Sequence, residues 1–129
     1  GDAGAAPLAD DVPRGYYDAF DAIAADARNR LLVAVCEGAV AGSFQVTYIP
    51  DMNEDGAEVA LIENVIVDGA MRGRGIGSAM MRWAIDDARA RGCHRVSLMS
   101  RNVRTDAHRF YERLGFEGNS RGFKIYLRD

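Results

Sequence analysis

Apolar residues along this chain recur in two rhythms, and the changes between them divide it into elements. Over 14–28 (RGYYDAFDAIAADAR), Tyr16, Phe20, Ile23, Ala24 and Ala27 stand at helical spacing, while Asp18, Asp21 and Asp26 fill much of the remaining surface; an amphipathic helix is predicted. The run 31–36 (LLVAVC) is continuously apolar, short and rich in branched residues, which predicts a buried strand. After Glu37-Gly38-Ala39, residues 40–49 supply a second strand and complete a hairpin. A polar turn over 50–56 (PDMNEDG) leads to a third strand, 58–67, antiparallel to the second.

Helical spacing returns over 76–91, where Ile76, Met80, Ala84 and Ala88 share a face and Arg82/Asp86 and Asp87/Arg91 are placed to pair on the outside. Gly92 reads as the residue that ends this helix. Residues 95–99 form the next strand, which a helical crossover makes parallel to the third. Thr105 is a plausible N-cap for a last helix with Ala107, Phe110, Tyr111 and Leu114 inside and Gly115 closing it. Phe116 and then 122–127 (GFKIYL) predict a final pair of strands. The order is helix, three strands, helix, strand, helix, two strands, an α+β arrangement without repeats or an interior linker. Residues 1–13 (GDAGAAPLADDVP) show no apolar period and read as a flexible lead-in, a tag remnant or the cut end of a longer chain, leaving 14–129 as one domain.

Composition narrows the function classes. The 129 residues suffice for one core. A net charge of −3 does not fit a nucleic-acid binder, which usually shows a basic face. No apolar run approaches the roughly 18 residues of a membrane span, and no signal peptide is visible. Cys36 and Cys93 lack paired spacing and read as buried thiols of a reducing cytosol, so a cytoplasmic location is expected. His94 and His108 lack a matching ligand set, so no metal is expected.

The chemistry concentrates in Arg72-Gly73-Arg74-Gly75-Ile76-Gly77, between a strand and a helix. Glycines there let successive backbone N–H groups converge, and the helix behind adds its positive end. The result is an anion site, although alone it also reads as a tight strand–helix turn. The P-loop ending Gly-Lys-Ser/Thr is absent, and G-x-G-x-x-G fails because Ser78 occupies its third position. What remains is R-x-x-G-x-G on Arg72, Gly75 and Gly77.

That motif, in the segment IENVIVDGAMRGRGIGSAMMRWAIDDARARG, resembles the acetyl-CoA pyrophosphate motif of the GNAT superfamily, and AHRFYERLGF (107–116) resembles the tyrosine helix of the same superfamily. The resemblance covers about residues 14–127. It implies the GNAT (acyl-CoA N-acyltransferase) fold, a mixed central sheet flanked by helices, and acetyl transfer from acetyl-CoA to a primary amine by direct attack in a ternary complex. It further implies that the main chain of Val65, Ile66 and Val67 receives the pantetheine arm in a gap beside a bulged strand. The backbone of Gly73, Arg74, Gly75, Ile76, Gly77 and Ser78 would hold the pyrophosphate, with Arg72 and Arg74 adding charge. Tyr111 matches the general acid for the leaving thiol, and Glu63 resembles the general base; strict alternation places Glu63 and Val65 on one face, which a bulge between them would change.

Two departures stand out. The family often carries Asn about seven residues before the tyrosine, where this chain has Arg104, with Asn102 off register; and the family's usual opening strand is not visible. The acceptor is open between a small-molecule amine and a peptide amine, with Asp51, Glu54 and Asp55 as a candidate rim and Tyr16, Tyr17 and Phe20 as candidate lining. A homodimer is compatible with the sequence. The alternative function is a non-catalytic acyl-CoA-binding or sensing module.

Overall fold

The computed structural model describes residues 12–71, 73–100 and 105–128. It divides into two compact units, Gly1–Leu98 and Met99–Asp129.

The first unit runs α1 (Arg14–Ala25), β1 (Asn29–Cys36), β2 (Ala39–Pro50), β3 (Glu58–Val67), α2 (Ile76–Arg91) and β4 (Arg95–Leu98). The strands form one sheet in the order β1-β2-β3-β4. Both β1–β2 and β2–β3 are antiparallel, and β3–β4 is parallel, as a helical crossover requires. The first hairpin turns on Glu37 and Gly38, with φ of 53° and 80°. Two consecutive positive angles are what a two-residue loop needs to match strand twist.

One face of the sheet carries the core. Phe44, Val46 and Tyr48 of β2 alternate inward beside Ala60 and Ile62 of β3, and all are buried. Met80, Met81, Ala84 and Ala88 of α2 cover them. Gly92 ends α2 with φ 86°, and its N–H donates to Ala88 and Arg89 carbonyls. The anticipated surface pairs along α2 do not form: Arg82 and Asp86 take other partners on the helix, Asp86 joining Arg89 at 3.6 Å, while Asp87 and Arg91 reach the sheet. Arg82 Nε donates to Ser78 Oγ at 3.2 Å, Arg91 pairs with Glu58 at 2.8 Å, and Asp87 accepts from the Tyr48 hydroxyl and pairs with Arg30 at 3.5 Å. Partners fixed in the sheet cost less side-chain entropy to hold than two mobile surface chains.

The α2 helix approaches the sheet closely at Gly42. A β-carbon there would lie 2.9 Å from the Ile66 carbonyl oxygen and 3.0 Å from Met80 Sδ. The methionine can yield, but the backbone oxygen cannot. Gly42→Val is expected to destabilise the protein by about 1–3 kcal/mol, read as a lower urea midpoint at unchanged slope.

Tyr48 gives a second prediction. Burial, then its hydrogen bond to Asp87, pushes its phenol up from 10.0 to about 12. A raised value means that the folded state favours the protonated phenol. The stabilisation is complete below 10.0 and is lost as the pH climbs through about 12. Urea midpoints of the native protein are therefore expected to fall more steeply across that window than those of Tyr48→Phe. Parallel pH profiles would rule this out.

The stripe of α1 is not buried, and Tyr16 is 70% exposed. Among the described residues α1 packs chiefly on β1, an edge strand, which offers little surface to cover it. The two thiols are half-buried rather than enclosed, and burial raises that of Cys93.

In the second unit, α3 (Thr105–Arg113) includes Thr105 as its first residue. Gly115, at φ 102°, closes the helix, with Phe116 N–H donating to the Tyr111 carbonyl. The expected final strands are absent over 116–128, and Phe123, Ile125, Tyr126 and Leu127 are 82–89% exposed. A period-two pattern becomes a strand only when a neighbour accepts its ladder. The described residues of this unit offer one helix and no strand.

Candidate functional site

Two features of the first unit meet where β3 runs on past its parallel partner. The β3–β4 ladder ends at Ile62↔Leu98, while β3 continues through Glu63–Val67. Over that stretch only β2 pairs with it among the described residues. Alternate N–H and C=O groups of the strand therefore point away from β2 without a strand partner.

A bulge sits within the same stretch. Ser43 pairs with Ile66 and Gln45 with Glu63, so Asn64 and Val65 together oppose Phe44. Asn64 takes φ 55°, left-handed backbone that Asn tolerates better than most residues. The register settles the faces. Glu63 stands opposite Gln45, and Ile66 opposite Ser43, both on the face away from α2. Val65 falls on the other face. Strict alternation from Glu63 to Val65 is thereby corrected: the extra residue shifts the phase.

The strand end is clamped before the glycine loop. Asp68 N–H donates to the Ala41 carbonyl at 2.8 Å, and its carboxylate accepts the Ala70 N–H at 3.0 Å. Ala41 is itself an extra residue, between the pairs Ala34↔Gly42 and Val35↔Val40. In the loop, Gly73 and Gly75 have φ of 84° and 75°, while Arg74 between them is not positive. Alternating sign turns successive N–H groups to one side. A β-carbon on either glycine would meet nothing within 4 Å, so both positions border open space.

Gly75 is the N-cap of α2 and offers no side-chain cap; the first helical bond is Ala79 N–H to the Gly75 carbonyl, 2.9 Å. The N–H groups of Ile76, Gly77 and Ser78 thus lack helical acceptors at the positive end of a helix running Ile76–Arg91. Arg74 pairs with Glu37 at 3.3 Å on the surface. Such a pair is worth at most about 1 kcal/mol, so exchanging it for a phosphate costs little.

Arg72, Asn102 and Arg104 lie outside the described residues. Glu63 is exposed on the open sheet face. Asp51 is committed to His94, whose Nε2 lies 3.0 Å from its carboxylate and holds that carboxyl below its ordinary value. Among the described residues no group of three or more His, Cys, Asp or Glu is placed to hold a metal. Nor is any described helix long and apolar enough to cross a membrane.

Tyr111 belongs to the second unit. It is half-buried, edge-on to Phe110 at 5.1 Å and to Phe116 at 5.8 Å. The structure thus gathers Glu63, Val65–Val67 and 73–78 in one unit, and Tyr111 in the other. Sequence reasoning passed over Asn64 and Gln45. An Asn inside an otherwise apolar strand was the available signal, since Asn is poor in strands and good in left-handed backbone.

Comparison with known proteins bears on this arrangement. Residues 5–116 match the model of the acetyltransferase (GNAT) family. Glucosamine 6-phosphate N-acetyltransferase of Trypanosoma brucei brucei is 33% identical over 90 residues, 70% of this chain and 59% of that protein. Glucosamine 6-phosphate N-acetyltransferase 1 of Oryza sativa subsp. japonica is 31% identical over 112 residues, 85% of this chain and 65% of that one. The matched stretch is thus less than two thirds of either relative's length. A solved transcriptional regulator from Bacillus halodurans C-125 superposes with a TM-score of 0.87 at 41% identity, over 90% of this chain and 77% of that one.

Proposed function

This chain belongs to the acetyltransferase (GNAT) family, and from that premise we propose that it moves an acetyl group from acetyl-CoA to a primary amine by direct attack, both substrates being bound together. The observation that carries the reading is the pairing of a one-sided strand edge at Glu63–Val67 with an uncapped helix start at Gly75–Ser78. The donor sets fit the ligand. Unpaired N–H groups in an open glycine loop suit a pyrophosphate, and the strand edge offers N–H and C=O groups to the amides of the pantetheine arm.

In this reading a backbone N–H at or beside Val65 stabilises the charge that develops on the thioester oxygen. The amine approaches from the open face and gives up a proton to Glu63, directly or through water. The new N–C bond forms as the C–S bond breaks, and Tyr111 supplies the proton that the departing thiolate takes up. The acceptor class is a small amine, of the kind that the named relatives acetylate.

Calorimetric titration with acetyl-CoA tests this. Saturable binding near one site per chain is expected, followed by thiol release in an amine screen. A folded sample that binds no acetyl-CoA would overturn the proposal. A second reading, a CoA-binding module without turnover, draws on the Bacillus neighbour's role as a transcriptional regulator. Binding without thiol release across the screen would favour it.

A further inference from the structure

The open face of the sheet carries a row of polar side chains that the reading above leaves unused. Asn64 Nδ2 donates to Gln45 Oε1 at 3.3 Å. Gln45 Nε2 donates to Asn29 Oδ1 at 3.2 Å, and Thr47 Oγ1 donates to the same oxygen at 2.8 Å. Asn29 Nδ2 donates to Asp26 Oδ2 at 3.2 Å, while Asp26 Oδ1 accepts the Arg28 backbone N–H at 2.9 Å. The row begins on the bulge of β3, crosses β2 and the start of β1, and ends just past α1.

An isolated amide can turn either end toward a neighbour, but an ionised carboxylate only accepts. The Arg28 N–H, then the Asn29 side chain, hold the Asp26 carboxyl below its ordinary value, so it is charged at neutral pH. Asn29 must therefore present its NH₂ to Asp26 and its oxygen to Gln45. Gln45 must then present NH₂ to Asn29 and its oxygen to Asn64. Every bond in the row points the same way, and its direction is fixed at the carboxylate.

The far end of the row is the left-handed residue of the bulge. Successive N–H groups of a strand alternate in direction, and a bulge shifts their phase. Should Asn64 relax to extended backbone, the peptide unit joining it to Val65 would turn and re-aim the Val65 N–H, while Ile66 and Val67 keep their pairing with Ser43 and Gly42. We infer that Asp26 and Gln45 are positioning residues: they orient Asn64, and so fix which backbone N–H meets the thioester oxygen. The inference rests on the acetyl-CoA reading for its ligand, but the relay itself is testable without one.

The test is Gln45→Glu, Asp26→Asn and their combination, titrated calorimetrically with acetyl-CoA and with CoA, which lacks the thioester carbonyl. Exchange of the Val65 amide is followed by NMR in the free protein. Gln45→Glu places oxygen against the Asn29 oxygen. It is expected to weaken acetyl-CoA about threefold to tenfold, the range of one hydrogen bond. CoA should change by less than about twofold, and Val65 exchange should accelerate. Asp26→Asn supplies a donor at the other end and lets Asn29 turn over, so the combined variant should recover most of both losses. Such recovery is the sign of coupling rather than of general damage. Should Gln45→Glu not fold, Gln45→Met is expected to show the same carbonyl-specific loss without rescue by Asp26→Asn.

Equal loss of both ligands, a combined variant no better than Gln45→Glu, or unchanged Val65 exchange would each overturn the inference. A wild-type protein that binds neither ligand would sink the acetyl-CoA reading, and the exchange cycle alone would then decide whether the relay holds the bulge.

Discussion

Gly75→Val is expected to weaken acetyl-CoA binding at least about a hundredfold while leaving the protein folded. Gly75 sits at φ 75°, where an L-residue costs about 1–2 kcal/mol, and a branched one is worse placed still. A β-carbon there meets nothing within 4 Å, so no steric penalty is added to the ligand-free fold. Two outcomes follow for the loop. If its backbone holds, an isopropyl group stands in the open space at the helix start beside the N–H groups; if it relaxes, the N–H groups of the first α2 turn no longer converge. Either way the pyrophosphate loses its donors. Gly75→Ala should fall between, with the strain but less of the obstruction. Calorimetry with acetyl-CoA reads the effect, and circular dichroism confirms the fold. An affinity within about threefold of wild type would remove the loop from the cofactor site.

Tyr111→Phe separates chemistry from binding. General acid catalysis contributes about 10²–10⁴-fold, so kcat with an acceptor found by the amine screen should fall by at least about a hundredfold. Acetyl-CoA affinity should stay within about twofold, because phenylalanine keeps the edge-on contacts with Phe110 and Phe116. A loss confined to kcat marks an interaction made in the transition state. Equal losses in turnover and affinity would instead mean that the ring packs, and an unchanged kcat would mean that the thiolate leaves without help from this hydroxyl.

The first unit was largely legible because its signals are local. The apolar run 31–36, the alternating residues of β2 and the period of α2 each name an element whose observed bounds differ by a residue or two. The glycine loop was legible for the same reason: Gly73 and Gly75 announce backbone that other residues avoid. What failed depended on partners distant in sequence. Phe123–Leu127 alternates as a strand should, yet a strand is a relation between two segments, and the described residues of its unit supply no second. The Asp87/Arg91 pair failed because Glu58, Tyr48 and Arg30, far away in the chain, competed for the same charges, whereas Arg82 and Asp86 took nearer helix neighbours, Ser78 and Arg89. The phase of the bulge was likewise unreadable, since which residue is extra follows from the β2 register rather than from β3 itself.

The same unpaired edge has a colloidal consequence. Among the described residues only β2 pairs with Glu63–Val67, which leaves half a ladder, and half a ladder accepts any extended chain, including another copy of this protein. Charge at Glu63 and the kink at Asn64 blunt that tendency at one end, but Val65–Val67 carries neither guard. An occupant that pairs with the edge thus does more than deliver a reactive group. It closes the surface on which the molecules would otherwise zip together, so preparations kept loaded should stay dispersed at concentrations where bare protein thickens into aggregate.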